Sequence, residues 1–154
     1  MEQSGKKYEF TVETIEVSGR TLHRIKAIRN FGYVKAGALG GFIEKEENLS
    51  HEGNCWVYND ANICGDAKVY GNAKVYGNAE ISMCSDFIVF KNWWSSGRYF
   101  TWTRSNNMWK VGCFYGTGEE LIQKAYKDSE ISGREYERVV RYVESILADE
   151  KKRE

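Results

Sequence analysis

The sequence predicts a mixed β-plus-α fold: N-terminal strands, a short parallel β-helix built from hexapeptide repeats, and a C-terminal β-hairpin with two α-helices. Three observations predict it. Residues 56–85 say one six-residue phrase five times, as WVYNDA, NICGDA, KVYGNA, KVYGNA and EISMCS, and a fixed hexapeptide period is the mark of stacked parallel coils. Tyr8, Phe10 and Val12 alternate with polar residues, the period of a half-buried strand. Thr117 with Glu120, and Ser132 with Glu135, each pair a hydroxyl with a carboxylate three residues on, ahead of apolar residues at helical spacing. The implied organisation is 1–53 for the strands and a degenerate first coil, 54–91 for the hexads, and 92–154 for the hairpin and helices.

In chain order, Ile15 and Val17 continue the first strand with shifted parity, which predicts a bulge or bend. Ser18-Gly19 reads as a turn and 22–28 as a second strand, with His23 on its surface. Gly37, Gly40 and Gly41 lack the Gly-Lys-Ser/Thr ending of a phosphate loop and read as bends or an irregular coil.

Within the hexads the second column holds Val57, Ile63, Val69, Val75 and Ile81, and the sixth holds Ala61, Ala67, Ala73, Ala79 and Ser85. A branched aliphatic followed four residues later by a small residue fills a narrow prism. The Gly-Asp and Gly-Asn pairs suit its corners, because glycine and asparagine tolerate positive φ. Three hexads per turn put Val57 over Val75, Ile63 over Ile81 and Tyr58 over Tyr76 at about 4.8 Å. Counting backwards, Cys55, Leu49 and Ile43 fit the small-or-apolar column moderately well, whereas His51 and Lys45 do not fit the aliphatic one. Two regular coils need caps from the flanking segments or from another subunit, so a homo-oligomer is expected. Tyr58, Tyr70 and Tyr76, with Lys68 and Lys74, form a candidate surface column.

Composition narrows the function classes. In 154 residues, 22 Lys and Arg balance 22 Asp and Glu, which leaves no global footprint for DNA or RNA. No apolar run of membrane-spanning length and no signal peptide stand out, so the expected location is the cytoplasm. Cys55, Cys64, Cys84 and Cys113 lack zinc-site spacing and are expected free. His51, Cys55 and Asp60 make a poor ligand set, and neither metal nor cofactor is expected.

Beyond the hexads, 86–90 reads as a strand, and 98–104 and 108–114 as a hairpin joined by Ser105-Asn106-Asn107. Alternation puts Arg98, Phe100, Trp102 and Arg104 on one face and Tyr99, Thr101 and Thr103 on the other. An open Arg-Trp-Arg face would bind phosphates and bases. The candidate ligand-binding set is therefore Trp93, Trp94, Arg98, Trp102, Arg104, Trp109 and Lys110. The plainer and preferred reading makes Phe100 and Trp102 core, framed by the arginines. Helices are expected at 118–127 and 133–148.

The hexads resemble the hexapeptide-repeat, left-handed β-helix class, whose larger members include trimeric acyltransferases. The phrases AGALGGFIEKEENLSHEGNCWVY, the YGNA repeats and RYFTWTRSNNMWKVGCFYGTGEELI, within 33–147, also resemble small phage and prophage proteins of anaerobic gut bacteria. The second resemblance implies a non-enzymatic binding protein in the host cytoplasm, an inhibitor of antiviral defence that occupies a host protein or sequesters a nucleotide signal. The first implies an acyltransferase-like enzyme as the alternative, with His51 as the one histidine near the coils and no catalytic set around it. A structural oligomerisation module is the third expectation.

Overall fold

A computed structural model describes residues 5–153. Strands β1 (Tyr8–Val17) and β2 (Arg20–Ala27) form an antiparallel hairpin. Ser18 and Gly19 close it with φ of 50° and 80°, and the register shifts between Phe10 and Thr14, where the apolar parity changes. Strand β3 (Leu39–Ile43) lies antiparallel to β2. A Cβ on Gly41 would come within 2.5 Å of the Ala61 carbonyl oxygen. The paired glycines therefore let β3 press against the first hexad.

The hexads contribute only two-residue strands: β4 (Trp56–Val57), β5 (Asn62–Ile63), β6 (Lys74–Val75) and β7 (Glu80–Ile81). They do not assemble into the expected parallel β-helix. Instead β5 and β7 extend the N-terminal strands into one mixed sheet, ordered β1-β2-β3-β5-β7, while β4 and β6 form a separate parallel pair. Val69 makes only an isolated bridge, to Leu49. The physical reason is coil number. With so few hexads, the antiparallel β1–β2 hairpin takes the place where further parallel coils would stack, and the sheet becomes mixed.

Locally the hexad chemistry is plain. Val57 pairs with Val75 and Ile63 with Ile81, the Tyr58 and Tyr76 rings stack with centroids 4.1 Å apart, and the second-column side chains are at most 1% exposed. Each such burial is worth roughly 1.5–3 kcal/mol. In the first four hexads the fourth column, Asn59, Gly65, Gly71 and Gly77, turns the corner with φ between 56° and 71°, a conformation that favours glycine and asparagine.

The C-terminal part is a four-stranded antiparallel sheet, ordered β11-β10-β9-β8, from β8 (Phe87–Lys91), β9 (Tyr99–Thr103), β10 (Met108–Val111) and β11 (Phe114–Gly116). Helices α1 (Gly118–Asp128) and α2 (Glu130–Lys152) cover one side. Thr117 and Glu120 form the expected capping box of α1. Helix α2 starts earlier than expected, because Ser129 accepts the Ser132 N–H as N-cap, and the Ser132 hydroxyl oxygen instead accepts the Trp94 indole N–H at 3.2 Å.

Both faces of β9 are covered. Phe100 and Trp102 point into the helical core, 2% and 0% exposed. Thr101, on the other face, accepts the Lys74 backbone N–H at 3.1 Å, and Ser105 accepts that of Glu80 at 2.7 Å. Side-chain hydroxyls thus meet backbone donors of the last hexads and seat the sheet on the repeats. Among the described residues no helix is long and apolar enough to cross a membrane.

Candidate functional site

Where the hexads meet the C-terminal sheet, a trough of about 550 Å³ opens. The turn bridged by Phe31 and Val34 presents Tyr33 on one wall. Stacked Tyr58 and Tyr76, with Lys74 beside them, come from the third and first hexad columns. Arg98 enters from the residue before β9, Lys110 from β10, and Gly112 and Cys113 from the tight β10–β11 turn. A smaller recess of about 210 Å³ shares Tyr33, Tyr58, Lys74 and Arg98 and adds Gly32, Asn54, Asn72 and Tyr99.

The lining is cationic and aromatic, without a carboxylate. Lys110 is only 9% exposed, and its Nζ lies 4.2 Å from the Tyr76 ring centre. The Lys74 Nζ lies 5.2 Å from that of Tyr33. Among the described residues none of Lys74, Arg98 and Lys110 has a carboxylate within ion-pair distance, whereas Arg24 holds Glu13 at 2.8 Å and Asp60 at 3.0 Å.

Burial is the main cause that pushes Lys110 below the ordinary lysine range, with the Lys74 charge second. Lys74 is pushed down by burial and then by Arg98. Burial likewise pushes the Tyr58 and Tyr76 hydroxyls up, so they stay neutral donors at physiological pH. Lys74 and Lys110, drawn partly out of water and each facing a neighbouring cation, gain most from a multivalent anion, the exposed Arg98 adds a third charge at the rim, and the tyrosine rings add stacking and cation–π surface.

The two candidate sets read from the sequence are each split by the structure, and halves of both meet in the trough. Tyr58, Tyr76 and Lys74 of the column stand beside Arg98 and Lys110 of the hairpin set. Tyr70 and Lys68 face a different groove, next to β8. Trp102 and Trp109 fill the core at 0% and 1% exposure, and the Trp102 indole N–H donates to Asn107 at 2.7 Å. Trp94 packs edge-on against Tyr136 with ring centres 4.9 Å apart, Trp93 is exposed, and Arg104 is paired with Glu150. Sequence reasoning missed Tyr33, Asn54, Asn72, Gly112 and Cys113. Asn54 and Asn72 stand eighteen residues apart in the fifth hexad column, so the period already marked them as neighbours.

The histidines lie elsewhere. The Nδ1 of His51 accepts the Lys7 backbone N–H at 3.0 Å, which places the proton on Nε2, 2.9 Å from Glu46. Its ring stacks on Tyr8 at 4.1 Å. With its lone pair committed, His51 offers no base. His23 stacks on Phe10 at 4.6 Å. Among the described residues no three His, Cys, Asp or Glu side chains group as metal ligands, and all four cysteines are free thiols.

No family model matches the chain. A stretch of 42 residues is 48% identical to a protein named Uncharacterized acetyltransferase YdcK, from Escherichia coli (strain K12), and covers 27% of this chain and 13% of that protein. The phage likeness rests on the sequence phrases alone. What the comparison brings out is a partial likeness to an acetyltransferase of the hexapeptide-repeat family, over a segment too short to carry that protein's activity across.

Proposed function

We propose that the protein binds a phosphorylated small molecule in the trough and does so without transforming it. The observation that carries this reading is the convergence of Lys74, Arg98 and Lys110 on a cavity with no lining carboxylate. A phosphate group supplies the missing charge, and each charge-assisted hydrogen bond is worth about 1.5–3 kcal/mol. Retention of a nucleotide signal, the role implied by the phage-like phrases, is what such a cavity suits. Calorimetry at low salt with ATP, cyclic dinucleotides and acetyl-coenzyme A tests it. Binding that weakens at least about tenfold in Arg98→Ala supports the reading, and no heat from any probe sinks it.

The likeness to an acetyltransferase favours a second reading, acetyl transfer. Its carrier is itself a phosphorylated nucleotide, so binding alone does not separate the two readings. Release of free carrier thiol from acetyl-coenzyme A in the presence of amine and hydroxyl acceptors does. Turnover that survives His51→Ala would leave acetyl transfer standing with a base outside the histidine clamp, and absence of turnover removes it.

A further inference from the structure

We infer that the trough has two chemically distinct ends and takes a nucleotide in one orientation, phosphates on Lys74, Arg98 and Lys110, and base on Tyr33 beside Asn54 and Asn72. This inference rests on the phosphorylated-ligand reading above. The two recesses share Tyr33, Tyr58, Lys74 and Arg98 and so lie side by side along the trough. Their far ends differ. One carries Lys110, nine-tenths buried and without a hydrogen-bond or ion-pair partner for its Nζ among the described residues. The other carries no further cation but two primary amides, Asn54 and Asn72. Together the two volumes, about 550 and 210 Å³, match the usual size of a small-molecule site.

The amide end has the features of a base site. Tyr33 is 87% exposed, so its ring offers an open face, and base–aromatic stacking needs only that. Asn54 and Asn72 stand in one hexad column on neighbouring rungs, and their side chains hydrogen-bond to nothing among the described residues. Each amide presents a donor beside an acceptor. Adenine shows the complementary pair, N7 accepting and the N6 amino group donating, whereas guanine shows two acceptors on that edge. The preferred ligand class is therefore an adenine nucleotide with two or more phosphate charges, enough to meet three cations.

The test is calorimetry without divalent cations, using ATP, GTP, inorganic triphosphate and adenosine. ATP is expected to bind at least about tenfold more tightly than triphosphate, and more tightly than GTP, because stacking and base-edge hydrogen bonds add to charge. Tyr33→Ala, and Asn54→Ala combined with Asn72→Ala, should lower ATP affinity to that of triphosphate. Triphosphate binding itself stays unchanged in the double asparagine variant, which also reports that it folds. If triphosphate equals ATP and the variants change nothing, the base site is wrong while the phosphate reading stands. If neither ATP nor triphosphate binds, both fall.

Discussion

Two buried lysines do opposite things in this molecule. Lys7, just before β1, is wholly buried, yet its Nζ donates to the Cys55 carbonyl at 2.7 Å, the Cys55 thiol at 3.3 Å and the Gly53 carbonyl at 3.4 Å. It also lies 4.7 Å from the Phe31 ring centre. Lys110 is almost as buried, but among the described residues its Nζ has no hydrogen-bond acceptor and lies against the Tyr76 ring. Burial lowers both lysines from the same ordinary value. The lesson is that burial alone does not mark a site. Lys7 spends its donors pinning β1 to the corner before the first hexad, whereas the Lys110 ammonium meets no acceptor among the described residues and faces the trough.

Breaking the first half of that contrast should have the largest effect on stability. Lys7→Met keeps most of the apolar stem and removes the donors, leaving the Cys55 carbonyl without this bond inside the fold. An unsatisfied buried acceptor costs about 1–3 kcal/mol, so the variant should lose about that much in urea unfolding. Its affinity for a phosphorylated ligand should not change. A Lys7→Met protein as stable as the wild type would mean that the buried head group is not a structural clamp.

The mirror experiment is Lys110→Met. Here no protein acceptor is orphaned and the repulsion with Lys74 is relieved, so stability should stay equal or rise, within about 1.5 kcal/mol. Binding should weaken at least about tenfold, the loss of one charge-assisted hydrogen bond. A marked loss of stability with intact binding would turn Lys110 into a second clamp and empty the comparison of content.

What the sequence made legible follows the same division. The hexad columns announced the buried aliphatic stack and the left-handed corners, because period and side-chain size are local properties. The mixed sheet was not legible. Strand β5 pairs with the next coil through β7 on one edge, and that β3 takes its other edge depends on Gly40 and Gly41 closing against the first hexad, a long-range contact. The trough was half legible for a similar reason. Tyr58, Lys74, Tyr76, Arg98 and Lys110 were each singled out for their chemistry, but two separate segments had to dock before they faced one another. Tyr33 carried no periodic signal at all. Aromatic residues suit both cores and binding surfaces: Trp102 lies in the core, as the preferred reading of its strand had it, and Trp109, taken as a binding candidate, lies there too.

His51 sharpens the contrast at smaller amplitude. It receives the Lys7 backbone N–H and donates to Glu46, and this bond is the first cause that holds the Glu46 carboxyl below its usual range, ahead of Lys6. His51→Ala should cost about 1 kcal/mol, the net worth of the bond from the Lys7 N–H, because the exposed pair with Glu46 adds little. A carboxyl with a depressed folded value adds stability above its unfolded value and loses it as pH falls through the folded one. The variant should therefore lose less stability on acidification than the wild type. Ligand affinity in the trough should not move.

The finest test is the pH dependence of the trough lysines, where stability and binding must run in opposite directions. Lys74 and Lys110 have folded values below 10.5. Between the lowered value and 10.5 the unfolded chain binds more protons, so stability rises with pH in that window. A phosphate ligand needs the protonated form, so affinity falls across the same window. Lys7 adds stability with the same sign but no binding, which is why the comparison is made against Lys74→Met combined with Lys110→Met rather than within the wild type. Tyr58 and Tyr76 are raised above 10.0; their contribution is intact below that value and lost above it, so the titration should stop near there. Below that limit the wild type should gain stability relative to the double variant as pH rises, while its hold on triphosphate weakens. If both quantities were flat, the trough lysines would titrate as ordinary surface groups, and the distinction from a solvated basic patch would disappear.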